Sequence, residues 1–78
     1  MRRDGLPPLV AILTMRRDGW RTYAISDGSD GRWKWQATHR PARDRWYIQN
    51  RHGHPVDEFG RLGMKIIATC EEHFATLE

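Results

Sequence analysis

Arg32-Trp33-Lys34-Trp35-Gln36-Ala37-Thr38 is the stretch on which the fold turns. Apolar and polar residues alternate along it. Side chains alternate across a strand, so Trp33, Trp35 and Ala37 take one face and Arg32, Lys34 and Gln36 the other. Arg45-Trp46-Tyr47-Ile48-Gln49 repeats the rule, with Trp46 and Ile48 on one side and Arg45, Tyr47 and Gln49 on the other. Two such runs separated by a polar loop read as neighbouring antiparallel strands.

Working towards the N-terminus, Leu9 to Met15 and Trp20 to Ser26 read as two further strands around Asp18-Gly19, a strong two-residue hairpin signal. That turn sets Arg17 opposite Trp20, Met15 opposite Thr22 and Leu13 opposite Ala24. Leu13, Met15, Trp20 and Ala24 then share a face, and Val10, Ile12, Tyr23 and Ile25 take the other. Asp27-Gly28-Ser29-Asp30-Gly31 is turn material, but its length leaves the next register open. With an even count Trp33 falls beside Ala24; with an odd count it falls beside Ile25. The even count is the expectation, because it gathers all four tryptophans on one face. A short fifth strand near His54 to Val56 completes the sheet.

Towards the C-terminus the period changes. Phe59, Leu62, Ile66, Cys70, Phe74 and Leu77 follow helical spacing as one stripe. Asp57 is placed as the N-cap, and Glu58 suits the positive first turn. The stripe is expected to cover the tryptophan face. The chain is therefore read as one α+β domain over residues 1–78, a four- to five-stranded antiparallel sheet covered on one face by a C-terminal helix (ββββα). Residues 1–8 form a loose terminal segment, 9–56 the sheet and 57–78 the helix.

Seventy-eight residues suffice for one small domain with a thin core, in which four Trp, two Tyr and two Phe carry much of the burial. The single cysteine excludes an internal disulfide, and a reducing, cytoplasmic setting is expected. The longest apolar run, Leu9 to Leu13, is far short of the roughly 20 residues that span a bilayer. Pro7 and Pro8 break the pattern of a signal peptide. Charge is uneven. Residues 1–56 carry eleven Lys/Arg against five Asp/Glu, and residues 57–78 carry two against five. The sheet is basic and the helix acidic, and either pole can steer a charged partner.

Candidate chemistry is sparse. His52, His54, Cys70 and His73 are the residue types of a tetrahedral zinc site, but their spacing matches no finger pattern, and Cys70 lies on the apolar stripe. Asp27 to Gly31 lacks the ligand spacing of a calcium loop. Glu71 and Glu72 beside Cys70 oppose a nucleophilic thiolate. No enzyme activity, metal or cofactor is expected. The reading points instead to a binding surface of Arg21, Tyr23, Arg32, Lys34, Arg45 and Tyr47 on the uncovered face. Tyr and Arg dominate protein–protein hot spots, while the same residues can neutralise phosphates and stack unpaired bases. Val10, Ile12 and Ile25 form a possible self-association patch, for a monomer or a homodimer.

In short length, in its Trp33-Lys34-Trp35 and Arg45-Trp46-Tyr47 strands, and in its closing Phe59 to Leu77 helix, the chain resembles small phage or mobile-element proteins, among them anti-CRISPR proteins. The resemblance implies a non-catalytic inhibitor whose partner is a subunit of a bacterial CRISPR effector. The alternatives are a domain that binds single-stranded nucleic acid through the basic tyrosine-bearing face, and a small zinc-stabilised domain.

Overall fold

Asp18 and Gly19 both adopt positive φ, 53° and 84°, the backbone of a two-residue turn that matches strand twist. They join strand β1 (Val10–Arg17) to β2 (Trp20–Ser26). Strands β3 (Trp35–Arg40), β4 (Arg45–Asn50) and β5 (Pro55–Val56) follow, and helix α1 (Arg61–Leu77) closes the chain. The sheet is antiparallel throughout, in the order β1-β2-β3-β4-β5. This is the α+β architecture read from the sequence. The computed structural model describes residues 8–28 and 31–77; the terminal segment 1–7, Ser29 and Asp30 of the polar loop, and Glu78 lie outside the described residues.

Two local features set which side chains face the helix. The first is a bulge in β1. Arg17 pairs with Trp20 and Met15 with Thr22, as the turn dictates, but Leu13 pairs with Tyr23 rather than Ala24. Thr14 is the extra residue, and its hydroxyl donates to the Thr22 carbonyl at 3.1 Å. Such an insertion reverses the alternation beyond it. Leu13 therefore faces the helix with Ala11, while Met15 joins Val10 and Ile12 on the opposite side.

The second is the linker before β3. The strand starts at Trp35, later than the alternation predicts, so Arg32, Trp33 and Lys34 precede it. Ile25 pairs with Trp35 and Tyr23 with Ala37. The odd register holds, not the even one. Tyr23 and Ile25 consequently lie under the helix and Ala24 does not.

The core beneath α1 contains Ala11, Tyr23, Ile25, Ala37, Trp46, Ile48, Ile66 and Cys70, with Leu13, Trp35, Leu62 and Phe74 packed around it. Ile66 and Cys70 are fully enclosed. Full burial of a side chain such as Ile66 contributes about 1.5–3 kcal/mol. The expectation of four indoles under the helix fails for two of them. Trp46 is buried and Trp35 packs on the core, but Trp20 and Trp33 are exposed on the other side.

The helix also begins later than residue 57. Asp57 caps a separate turn, its Oδ1 accepting from the Phe59 N–H at 3.0 Å and its carbonyl from the Gly60 N–H at 3.0 Å. That turn directs Phe59 into solvent, off the stripe on which spacing placed it. Gly63 sits where the first helical turn crosses back over Asp57. A Cβ there would overlap the Asp57 carbonyl, so close backbone approach, not helix propensity, accounts for this glycine.

Candidate functional site

Among the described residues nothing covers the face of the sheet away from the helix, and its large side chains are apolar and aromatic. β1 contributes Val10, Ile12 and Met15, all at least half exposed. β2 contributes Trp20, and the linker before β3 contributes Trp33, which is 45% exposed. β4 contributes Tyr47, also half exposed. Between them run small polar residues: Thr22 bonds across to Thr38 through their hydroxyls at 3.2 Å, and Gln36 pairs with Gln49 across β3 and β4. A trough of about 450 Å³ opens at the β4–β5 end, lined in part by Gln36, Thr38, Tyr47, Gln49 and Pro55.

Arginines frame this face. The Arg40 guanidinium lies 5.7 Å from the Trp20 ring centroid, and its Nη1 reaches the Tyr47 hydroxyl at 3.5 Å. Such stacking holds the indole and the cation in a shared orientation. Arg45 is fixed by Glu58. Its Nε and Nη2 donate to Glu58 Oε1 at 2.9 and 2.8 Å, and the Trp46 N–H donates to Oε2 at 3.1 Å. The hydrogen bond from Arg45 holds the Glu58 carboxyl below its ordinary range, partial burial opposes the shift, and the Trp46 N–H reinforces it.

Of the six contact residues expected on this face, Arg45 and Tyr47 are there. Tyr23 is not: it is fully buried against Trp46, ring centroids 5.9 Å apart, and offers nothing to a partner. Arg21 lies on the helix side, where its Nη2 donates to His39 Nδ1 at 2.8 Å and its guanidinium stacks 4.2 Å from the Phe74 ring centroid. A guanidinium only donates, so His39 Nδ1 accepts and His39 Nε2 carries the proton given to Asp44 Oδ1 at 2.8 Å. This chain ties α1, β2, β3 and the β3–β4 turn together. Arg32 and Lys34 belong to the linker, not to β3. Ile25 is buried and drops out of the self-association patch, while Val10 and Ile12 stay exposed.

Trp20, Trp33, Met15 and Arg40 were missed as members of the open face. One signal could have found two of them. In β2 the bulk lies in Tyr23 and Ile25, whereas Thr22, Ala24 and Ser26 are small, so a core needing volume should draw Tyr23 and Ile25 inward and leave Trp20 outside. Met15, opposite Thr22 across the hairpin, goes outside with Trp20. The Thr14 bulge, which has no sequence signature, decides instead that Val10 and Ile12 share that face.

The zinc candidates do not converge. Cys70 is sealed in the core, His73 packs edge-on to Tyr23 with centroids 6.4 Å apart, and His52 and His54 lie in the β4–β5 turn. Among the described residues no three His, Cys, Asp or Glu side chains group as metal ligands. Burial and the nearby Glu71 push the Cys70 thiol up to about 12, the reverse of what a thiolate ligand or nucleophile requires. Among the described residues no helix is long and apolar enough to cross a membrane. No protein-family model, curated protein or solved structure matches the chain.

Proposed function

We propose that this protein is a non-catalytic binding module that docks the uncovered face of its sheet onto a protein surface. The observation that carries this is the exposed set Val10, Ile12, Met15, Trp20 and Tyr47 on the side of the sheet away from the helix. Aliphatic side chains at one edge favour a protein partner over nucleic acid, since phosphates and bases gain little from Val10 and Ile12. Arg40 and Arg45, held by Trp20 and Glu58, supply the oriented cations that confer specificity at an interface rim.

Size limits how the contact is made. Strands about 4.8 Å apart and rising about 3.3 Å per residue give a face of roughly 24 by 20 Å. That is less than the ~800 Å² per partner of a standard interface, so the docking surface extends past the sheet onto its rim. Inhibition of a bacterial CRISPR effector, implied by the resemblance to anti-CRISPR proteins, is the particular form of this reading. Occupation of an effector surface would then block a nucleic acid or subunit sterically.

Ile12→Glu on the open face and Met64→Glu on the helix side separate the faces. A stoichiometric partner should be lost with the first variant and kept with the second, both remaining folded by circular dichroism. Loss of the partner with Met64→Glu alone overturns the assignment. Steeply salt-dependent binding of single-stranded oligonucleotide that Tyr47→Ala abolishes would replace the protein partner with nucleic acid.

A further inference from the structure

A second concavity, of about 590 Å³, lies between the linker before β3 and the β4–β5 turn. Gly31, Arg32, Trp33, Arg51 and His52 line it, and its volume is that of a small-molecule site. None of these described residues is acidic. The backbone fixes its two walls to each other. The Lys34 N–H donates to the Ile25 carbonyl at 2.7 Å, and the Arg51 N–H donates to the Lys34 carbonyl at 2.9 Å. The linker carrying Arg32 and Trp33 is thereby tied to the turn carrying Arg51 and His52. That turn is itself braced, because Asn50 Oδ1 accepts from the His52 and His54 N–H groups at 2.9 and 3.0 Å.

The lining has a distinct chemistry. Trp33 presents its indole here and contributes nothing to the core beneath the helix. An indole face stacks planar aromatic rings. Arg51 and His52 are exposed on the opposing turn, and a guanidinium fork fits phosphate oxygens two at a time. An indole and cationic side chains lining one concavity match a ligand that is aromatic at one end and anionic at the other.

We propose that this cleft binds a nucleoside phosphate, with the base stacked on Trp33 and the phosphate held by Arg51 and His52. The ligand is either a free mononucleotide or one nucleotide of a single strand. The site borders the open face through Trp33 but does not rest on the protein-docking reading, which is carried by side chains of β1, β2 and β4.

The test is a two-dimensional ¹H–¹⁵N NMR titration of the full chain, with the Trp33 indole signal assigned through Trp33→Phe. The probes are adenosine 5′-monophosphate, inorganic phosphate and an eight-residue oligothymidylate. A nucleotide probe should move the Trp33 indole and the Arg51 amide while leaving the buried Trp46 indole in place. Loss of a charge-assisted contact in Arg51→Gln should weaken binding about tenfold, with the amide pattern otherwise intact. Equal affinity for mononucleotide and oligomer identifies a free nucleotide. Tighter oligomer binding with shifts reaching Tyr47 identifies a strand. The proposal is overturned if neither nucleotide probe moves the Trp33 indole at millimolar concentration. It is equally overturned if inorganic phosphate alone reproduces every shift, or if Arg51→Gln binds as the parent does.

Discussion

Both faces of one sheet carry large aromatic and aliphatic side chains and do different things with them. On the helix side Tyr23, Ile25, Trp46 and Ile48 are enclosed, and the polar groups among them are almost all satisfied. On the other side Val10, Ile12, Met15, Trp20 and Tyr47 stand in water, spaced by threonines and glutamines. The difference teaches that apolar content does not distinguish core from surface in a small sheet. What distinguishes them is whether a covering element exists. A patch that folding leaves uncovered is available to a partner.

The largest test of this contrast compares Ile66→Ala with Ile12→Ser. Truncating the enclosed Ile66 should cost about 2–5 kcal/mol, while the exposed Ile12 should change stability by less than about 0.5 kcal/mol. Urea denaturation measures both. A substantial loss for Ile12→Ser would mean that the open face is covered in the folded protein.

Next, Gly63→Ala should destabilise by about 1–3 kcal/mol through steric overlap, although alanine is the better helix former by roughly 1 kcal/mol. Thermal melting decides between the two effects. A stabilised variant would show that the helix can move away from Asp57, and the cover over the core would then be looser than its contacts imply.

Glu58 links the faces, since it orients Arg45 at the rim and receives the Trp46 N–H from the strand that buries Trp46. Its folded-state pKa is lowered, so its contribution is present above the unfolded value of about 4.3. That contribution is lost as pH falls through the lowered folded value. Glu58→Gln should therefore be less stable than the parent at neutral pH, and the gap should close as the pH falls below about 4. A gap independent of pH would show that the charge on Glu58 is immaterial.

The smallest expected effect is at Tyr23. Its hydroxyl is the buried side-chain polar atom without a hydrogen-bond partner among the described residues. Burial raises its pKa, opposed by the charge and the hydrogen-bonding capacity of the nearby Arg21 guanidinium, which also bonds His39. Removing an unsatisfied hydroxyl avoids its desolvation cost. Tyr23→Phe should leave stability unchanged or raise it by up to about 1 kcal/mol. A marked loss would mean that this hydroxyl has a partner within the core.

Much of this was legible residue by residue. The hairpin at Asp18-Gly19 follows from two residues that tolerate positive φ. Strand β4 follows from the alternation of Arg45 to Gln49. The stripe Leu62, Ile66, Cys70 and Phe74 follows from helical spacing, because each needs the same neighbour to leave water. The candidate site was less legible. Arg45 and Tyr47 could be placed because their strand has one register, whereas Tyr23, Arg21 and Trp20 depended on how β2 meets β3.

Local composition alone thus determined the element order, the antiparallel sheet, the closing helix and the charge asymmetry, since each rests on period and turn chemistry within a few residues. Which residues face away from the helix was decided only in three dimensions. The side-chain period of a strand is two, so one bulged residue at Thr14 and the odd-length connection between Ile25 and its partner Trp35 exchange the buried and exposed sets. Packing volume, summed over the helix and all the strands, selects between those alternatives, and no single segment contains that sum.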